Sequence, residues 1–301
     1  MDLLPYYIRA CTNNIFTGNK CIDIDLIISG GAFNGAYGFG IIMYLKQLEK
    51  EKKIKINKIS GSSVGALLGF ILICDITDKL KMEKLYLKLQ KNLKEEGNLK
   101  NMKIMIKKIV NLIIKNKEDI SKLNNRLYIN KTNIKDNKDI VISSYNSNKE
   151  IIDNLTASCF IPYLTDGKKR FKNKYIDGLY PYIFKNKNKI IFINIHTFRK
   201  LKKMIVTSNE ESAMTRIIEG ILDINLFLTQ RKSIMCSWIN DWKILDFLIY
   251  RISQAIIKIF FMVLDKIDIE ALPIPIKNNF FIKIVLNSVN LWMKDILYVI
   301  S

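Results

Sequence analysis

One pentapeptide constrains this chain more than any other feature: Gly61-Ser62-Ser63-Val64-Gly65, a G-x-S-x-G between two apolar runs. The run before it, IKINKIS (54–60), is β-branched and short, and predicts a strand. The run after it, SVGALLGFILIC (63–74), predicts a buried helix. A serine on so sharp a strand-to-helix turn takes a strained backbone, and glycines two positions to either side let the chain close around it. Such a turn exposes the Ser63 hydroxyl, while the helix start aims N–H groups at any oxyanion that develops beside it. Ser62 fits less well, because its flanks do not place glycine at both positions. The blander alternative is a small-residue helix start packed against a sheet.

About 30 residues earlier a second strand-to-helix loop, Ser29-Gly30-Gly31-Ala32-Phe33-Asn34-Gly35, joins IDIDLIIS (22–29) to AYGFGIIMYLKQLEK (36–50). Successive glycines let backbone N–H groups point into a cavity without obstruction, which makes Gly30, Gly31, Ala32 and Phe33 candidate oxyanion donors. A dinucleotide loop also follows a first strand, and Gly30 and Gly35 would suit it, but Ala32 replaces its middle glycine. A nucleotide site would also leave Ser63 without a task, whereas an oxyanion loop beside a nucleophile explains both loops. A third candidate is Asp177 in KYIDGLYPY, followed by Gly178: a general base at a strand end, or an ordinary Asp-Gly turn. The single histidine, His196, completes the order Ser63…Asp177…His196 of a hydrolase triad, although it sits in an apolar strand-like run. Two mechanisms therefore stay open, that triad and a Ser63–Asp177 dyad, the latter requiring burial to raise the carboxylate's pKa.

Composition bounds the rest. The chain has 301 residues, 49% hydrophobic and 25% charged, enough for a large core and incompatible with a mainly disordered chain. Strand, loop, helix, strand, turn, helix over 22–74 implies a parallel α/β sheet, and the uncharged stretches 26–45 and 59–74 read as buried strand and helix, not membrane spans. Five scattered cysteines without C-x-x-C pairing argue against a disulfide framework or zinc site and for a reducing, cytoplasmic setting. The first residues lack the basic and apolar regions of a signal peptide. No metal or organic cofactor is expected.

The net charge of +20 points to an anionic partner, discounted for a Lys, Ile and Asn bias that an AT-rich genome would also produce. Residues 79–138 hold 17 Lys/Arg against 6 Asp/Glu and read as a basic helical insertion. Within it Met102, Met105, Ile106, Ile109, Leu112 and Ile113 recur at helical spacing between lysines, so 99–117 is either a surface helix over core or an interfacial helix on anionic lipid. Nucleic acid is not expected there, since arginine and aromatic residues are sparse. From about residue 210 the pattern is helical throughout.

In this order, the glycine loop, the G-x-S-x-G turn and the late Asp-Gly pair resemble the patatin-like phospholipase family. ASCFIPYLTDG (157–167) also looks like that family's Ala-Ser-x-x-Ile-Pro segment. The resemblance implies a three-layer α/β fold with a mainly parallel central sheet over residues 22–200. A lead-in (1–21) would precede it and a helical portion (201–301) follow. It further implies hydrolysis of lipid acyl esters at a membrane surface without metal or histidine. Ser63 would then be the nucleophile, Asp177 the base, Gly30 to Phe33 the oxyanion loop, and Gly35, Gly61, Gly65 and Gly178 the glycines of the motifs. Three positions depart from the family: Ala32 replaces a glycine, Asn34 a basic residue, and Leu179 a small residue beside the base. The alternative is a catalytically decayed lipid- or nucleic-acid-binding protein on the same scaffold.

Overall fold

A computed structural model of the chain describes residues 4–13, 15, 21–75, 84, 87–88, 91, 95, 99–185, 188–196 and 213–266. The two glycine loops sit where the sequence puts them. Strand β1 (Ile22–Ile28) runs through the first loop and a 3-10 turn (Ala32–Asn34) into helix α2 (Gly35–Lys50). Strand β2 (Ile54–Ser62) runs through Ser63 into helix α3 (Val64–Ile73). Neither uncharged stretch is a single helix, and among the described residues no helix is long and apolar enough to cross a membrane.

The sheet is completed by β3 (Leu127–Asn133), β4 (Lys138–Ile142), β5 (Tyr175–Ile176), β6 (Lys189–Ile193) and β7 (Cys236–Trp238). Its order is β4-β3-β2-β1-β6-β7, with β5 also pairing β3. The four central strands β3, β2, β1 and β6 are parallel, while β4, β5 and β7 are antiparallel additions.

Two strands correct the sequence reading. Residues 127–133 fall inside the segment expected to be a basic helical insertion, yet they form β3, a central strand. Its Lys131 is buried because its Nζ donates to Asn154 Oδ1 at 2.7 Å and lies 4.2 Å from the centre of the Tyr175 ring. Residues 236–238, expected to be helical, close one sheet edge as β7 against β6.

One face of the sheet is covered by helices. The lead-in helix α1 (Leu4–Thr12), α2, α3 and the later α7 (Met214–Gln230) pack on Leu26, Ile28, Ile59, Ile191 and Ile193. Helices α4 (Met102–Ile113) and α6 (Asn148–Ser158) continue that layer over Leu127 and Ile129, with the short α5 (Lys117–Ser121) between them in the chain. Helices α2 and α7 touch backbone to backbone: a Cβ on Gly40 would lie 2.0 Å from Ile217 O, and one on Gly220 would lie 2.1 Å from Tyr37 O. Residues beyond 200 therefore build part of the same core. On the opposite face Ile27, Ile190 and Phe192 are covered by Tyr180, Ile183 and Phe184 and by Tyr250 of helix α8 (Ile244–Lys266). The result is a three-layer α/β fold.

Candidate active site

Strand register explains why Ser63 and Asp177 meet, although 113 positions separate them in the chain. Strand β2 runs along β3 as far as the pair Ser62–Asn130. Strand β5 approaches along the same edge from the other end, pairing Ile176 with Thr132. The next residue of each strand, Ser63 and Asp177, therefore arrives opposite Lys131. Two strand ends meet head to head on one position of a third strand.

Ser63 leaves the strand at φ 53° and ψ −133°, a backbone conformation that costs on the order of 1–3 kcal/mol for a residue with a side chain. Its surroundings hold it there. The Ser63 N–H donates to Ser158 Oγ at 2.9 Å, and that hydroxyl donates to Asn130 O at 2.6 Å. The motif glycines are required by close approach: a Cβ on Gly61 would lie 2.5 Å from the Ala66 backbone, and one on Gly65 would lie 2.3 Å from Ile28 O. Gly65→Ala is accordingly expected to push α3 off β1, lowering stability by about 2 kcal/mol or more and displacing Ser63. Urea denaturation of the purified variant checks this, and an unchanged midpoint would contradict the contact.

Asp177 is held by the segment 157–167. Its N–H donates to Phe160 O at 2.8 Å, and the next N–H, from Gly178, donates to Ser158 O at 3.1 Å. A Cβ on Gly178 would lie 2.1 Å from Asn130 O, so glycine is needed here too. The Asp177 carboxylate accepts from the Leu179 N–H at 2.8 Å. Burial pushes its pKa up to about 6, outweighing the lowering effect of the Ser63 side chain and the Leu179 N–H nearby. Leu179 does not crowd the carboxylate: at φ 54° it turns its side chain into the opposite layer with Ile27 and Phe192.

The glycine loop lies against the serine, with a Cβ on Gly30 falling 3.0 Å from Ser63 Cβ. Here one expectation is corrected. The Gly30 N–H donates to Ser62 Oγ at 3.1 Å, so it is committed to anchoring the loop and is not a free donor. Gly31 and Ala32 open the 3-10 turn, where N–H groups have no acceptor within the turn. Val64, the first residue of α3, is in the same position beside Ser63. The sequence reading named the helix start but not Val64 itself; its signal is that it follows the serine directly.

Ser63, Ala32 and Phe33 face a cavity of about 170 Å³ whose other walls are apolar, among them Leu68, Met102, Met105, Ile106 and Ile109. This favours the first of the two readings of 99–117, a surface helix over core. The Met102, Met105, Ile106 and Ile109 stripe of α4 is buried against α6 and the cavity, leaving Ile104 and Leu112 outside.

His196 lies three residues past the end of β6, in a loop rather than on the strand. Its backbone N–H donates to Asn194 Oδ1 at 3.2 Å, and burial lowers its pKa. Among the described residues no hydrogen bond joins His196 to Asp177. Among the described residues no three His, Cys, Asp or Glu side chains gather as a metal site.

The chain is similar to omega-hydroxyceramide transacylase of Mus musculus, 26% identical over 176 residues, covering 54% of this chain and 28% of that protein. It is also similar to omega-hydroxyceramide transacylase of Homo sapiens, 23% identical over 154 residues, covering 49% of this chain and 28% of that protein. The similarity thus spans little more than a quarter of either relative. The family profile described as patatin-like phospholipase matches residues 26–180, just over half of the chain, from the middle of β1 to just beyond Asp177. The chain belongs to the patatin-like phospholipase family.

Proposed function

We propose that the protein cleaves carboxylic esters of lipids through an acyl-serine intermediate. The observation that carries this is Ser63 in the wall of an apolar cavity, brought by the strand registers beside the buried carboxylate of Asp177, whose pKa is raised. Ser63 Oγ attacks the ester carbonyl as its proton passes to Asp177, and the carbonyl oxygen becomes an oxyanion beside the Ala32, Gly31 and Val64 N–H groups. Collapse of the tetrahedral adduct breaks the ester C–O bond, and Asp177 returns the proton to the departing alkoxide. The acyl group stays on Ser63 with its chain in the cavity. Water, deprotonated by Asp177, then attacks the acyl carbonyl; as the bond to Ser63 Oγ breaks, Asp177 returns the proton to that oxygen and a fatty acid leaves.

The substrate class follows from the walls: Met, Ile, Leu and Phe side chains offer an acyl chain contact and offer a sugar or nucleotide no polar partner. The two relatives are named for acyl transfer, which supports a second reading in which a lipid alcohol replaces water as acceptor. A fluorophosphonate probe tests the nucleophile. Labelling of the native chain, lost in Ser63→Ala, is expected; a folded native chain that does not label would end the enzymatic reading in favour of a decayed scaffold. Product mass spectrometry on a phospholipid and acylglycerol panel, with and without a long-chain alcohol, separates hydrolysis from transfer.

A further inference from the structure

The loop beside Ser63 is gripped by a side chain from outside the matched residues 26–180. Arg216 of α7 is buried, 3% exposed, where the glycine contacts of α2 and α7 bring the two helices together. Its Nη1 donates to Phe33 O at 3.4 Å and to Asn34 Oδ1 at 3.3 Å, and its guanidinium carbon lies 5.5 Å from the centre of the Tyr37 ring. The Asn34 side chain is oriented for this contact, since its Nδ2 donates to Ile195 O at 2.8 Å and leaves Oδ1 toward the arginine.

The contact continues through the backbone. Phe33 C=O and Asn34 N–H are the two ends of one peptide, and that N–H donates to Gly31 O at 2.9 Å. Gly31 C=O and Ala32 N–H are the two ends of the next peptide. The guanidinium therefore heads a row of two peptides linked by one hydrogen bond, and the row ends in the N–H of Ala32, a residue that lines the cavity with Ser63. Linked hydrogen bonds polarise one another, by about 10–30% per bond, and a cation at the head strengthens the last donor. Ala32 stands at φ 43°, a conformation a side-chain-bearing residue keeps only where its neighbours impose it.

We propose that Arg216 is a positioning residue for acyl transfer, holding the Gly31–Asn34 turn and strengthening the Ala32 N–H as an oxyanion donor from a helix outside the family match. It rests on the Ser63 reading given above.

The test compares Arg216→Lys and Arg216→Gln in the full chain. Both keep a donor toward Phe33 O, but only lysine keeps the charge. The readouts are the rate of fluorophosphonate labelling, kcat and KM on a p-nitrophenyl acyl ester, and the urea midpoint. The expected result is a kcat loss of about 10-fold or more in Arg216→Gln with KM changed less than about threefold, since an oxyanion contact acts in the transition state. Arg216→Lys should recover much of that loss, and labelling should follow kcat. Equal kcat in the two variants at similar urea midpoints, or native kcat in both, would overturn the proposal while leaving Ser63 as nucleophile. A glutamine variant too unstable to assay is replaced by Asn34→Asp, whose carboxylate would neutralise the guanidinium in place and should also lower kcat; unchanged kcat there overturns the proposal. A native chain that neither labels nor turns over the ester removes the Ser63 reading itself, and this inference with it.

Discussion

Asp177→Asn is expected to be nearly inactive and, at pH 7, more stable than the native chain. The two effects share one cause. An asparagine cannot accept the serine proton, so hydrolysis should fall on the order of 10²–10⁴-fold, the usual contribution of a general base. The native carboxylate, however, is charged in a buried place that pushes its pKa up to about 6 from an ordinary 3.8. Below the unfolded pKa the folded and unfolded chains both hold the proton and the group contributes nothing to stability. Between the two values the unfolded chain releases its proton and the folded chain keeps it, so folding weakens as pH rises. Above pH 6 the loss levels off at about 3 kcal/mol, and Asp177→Asn should regain much of that. Urea denaturation of both chains from pH 4 to 8 measures the difference, which should grow with pH across that window. Native kcat/KM should rise through about pH 6 and then level, while His196→Gln keeps most activity. An asparagine variant less stable than the native chain at pH 7 would show that burial does not penalise this carboxylate.

Ile109→Asp carries the second large effect. A lipid-dipping stripe would tolerate the change in solution and lose only vesicle binding, whereas a core stripe would not tolerate it. Ile109 is buried on α4, facing the cavity, among Met105, Ile106 and α6. Replacing it removes buried hydrocarbon and leaves a carboxylate without a partner, a loss of about 4 kcal/mol or more. Ile104→Asp, on the exposed side of the same helix, should cost within about 0.5 kcal/mol, as surface substitutions do. Urea midpoints of the two variants settle the comparison. A soluble, folded Ile109→Asp with the native midpoint would return α4 to the surface and reopen the interfacial role.

What could be read from the residues alone was local. A glycine two positions from a serine, a strand before it and a helix after it reflect turn sterics, and these operate over five to ten residues wherever the segment lies. Asp177 was legible as a strand-end carboxylate, and the order of the motifs pointed to the family. The strand LYINKTN (127–133) was hidden by its lysine and asparagines, which read as surface until Asn154 and Tyr175 are seen to enclose Lys131. The three residues of β7 are too few to show any period.

Helical spacing on α4 showed that one face is apolar, but not whether that face meets lipid, core or cavity, because an apolar stripe has the same period in all three cases. Tertiary structure decided that, and it decided which of the loop N–H groups were already taken: Gly30 by Ser62, whose hydroxyl arrives from another strand. It also set the meeting of Ser63 with Asp177, through two registers on β3, and the reach of Arg216 into a loop about 180 positions earlier. The residue pattern by itself determined the turns, the chemistry available at them and the family. The partners of each polar group came from packing, since a hydrogen bond or a buried charge depends on what the fold brings within about 3 Å, and no spacing along the chain records that distance.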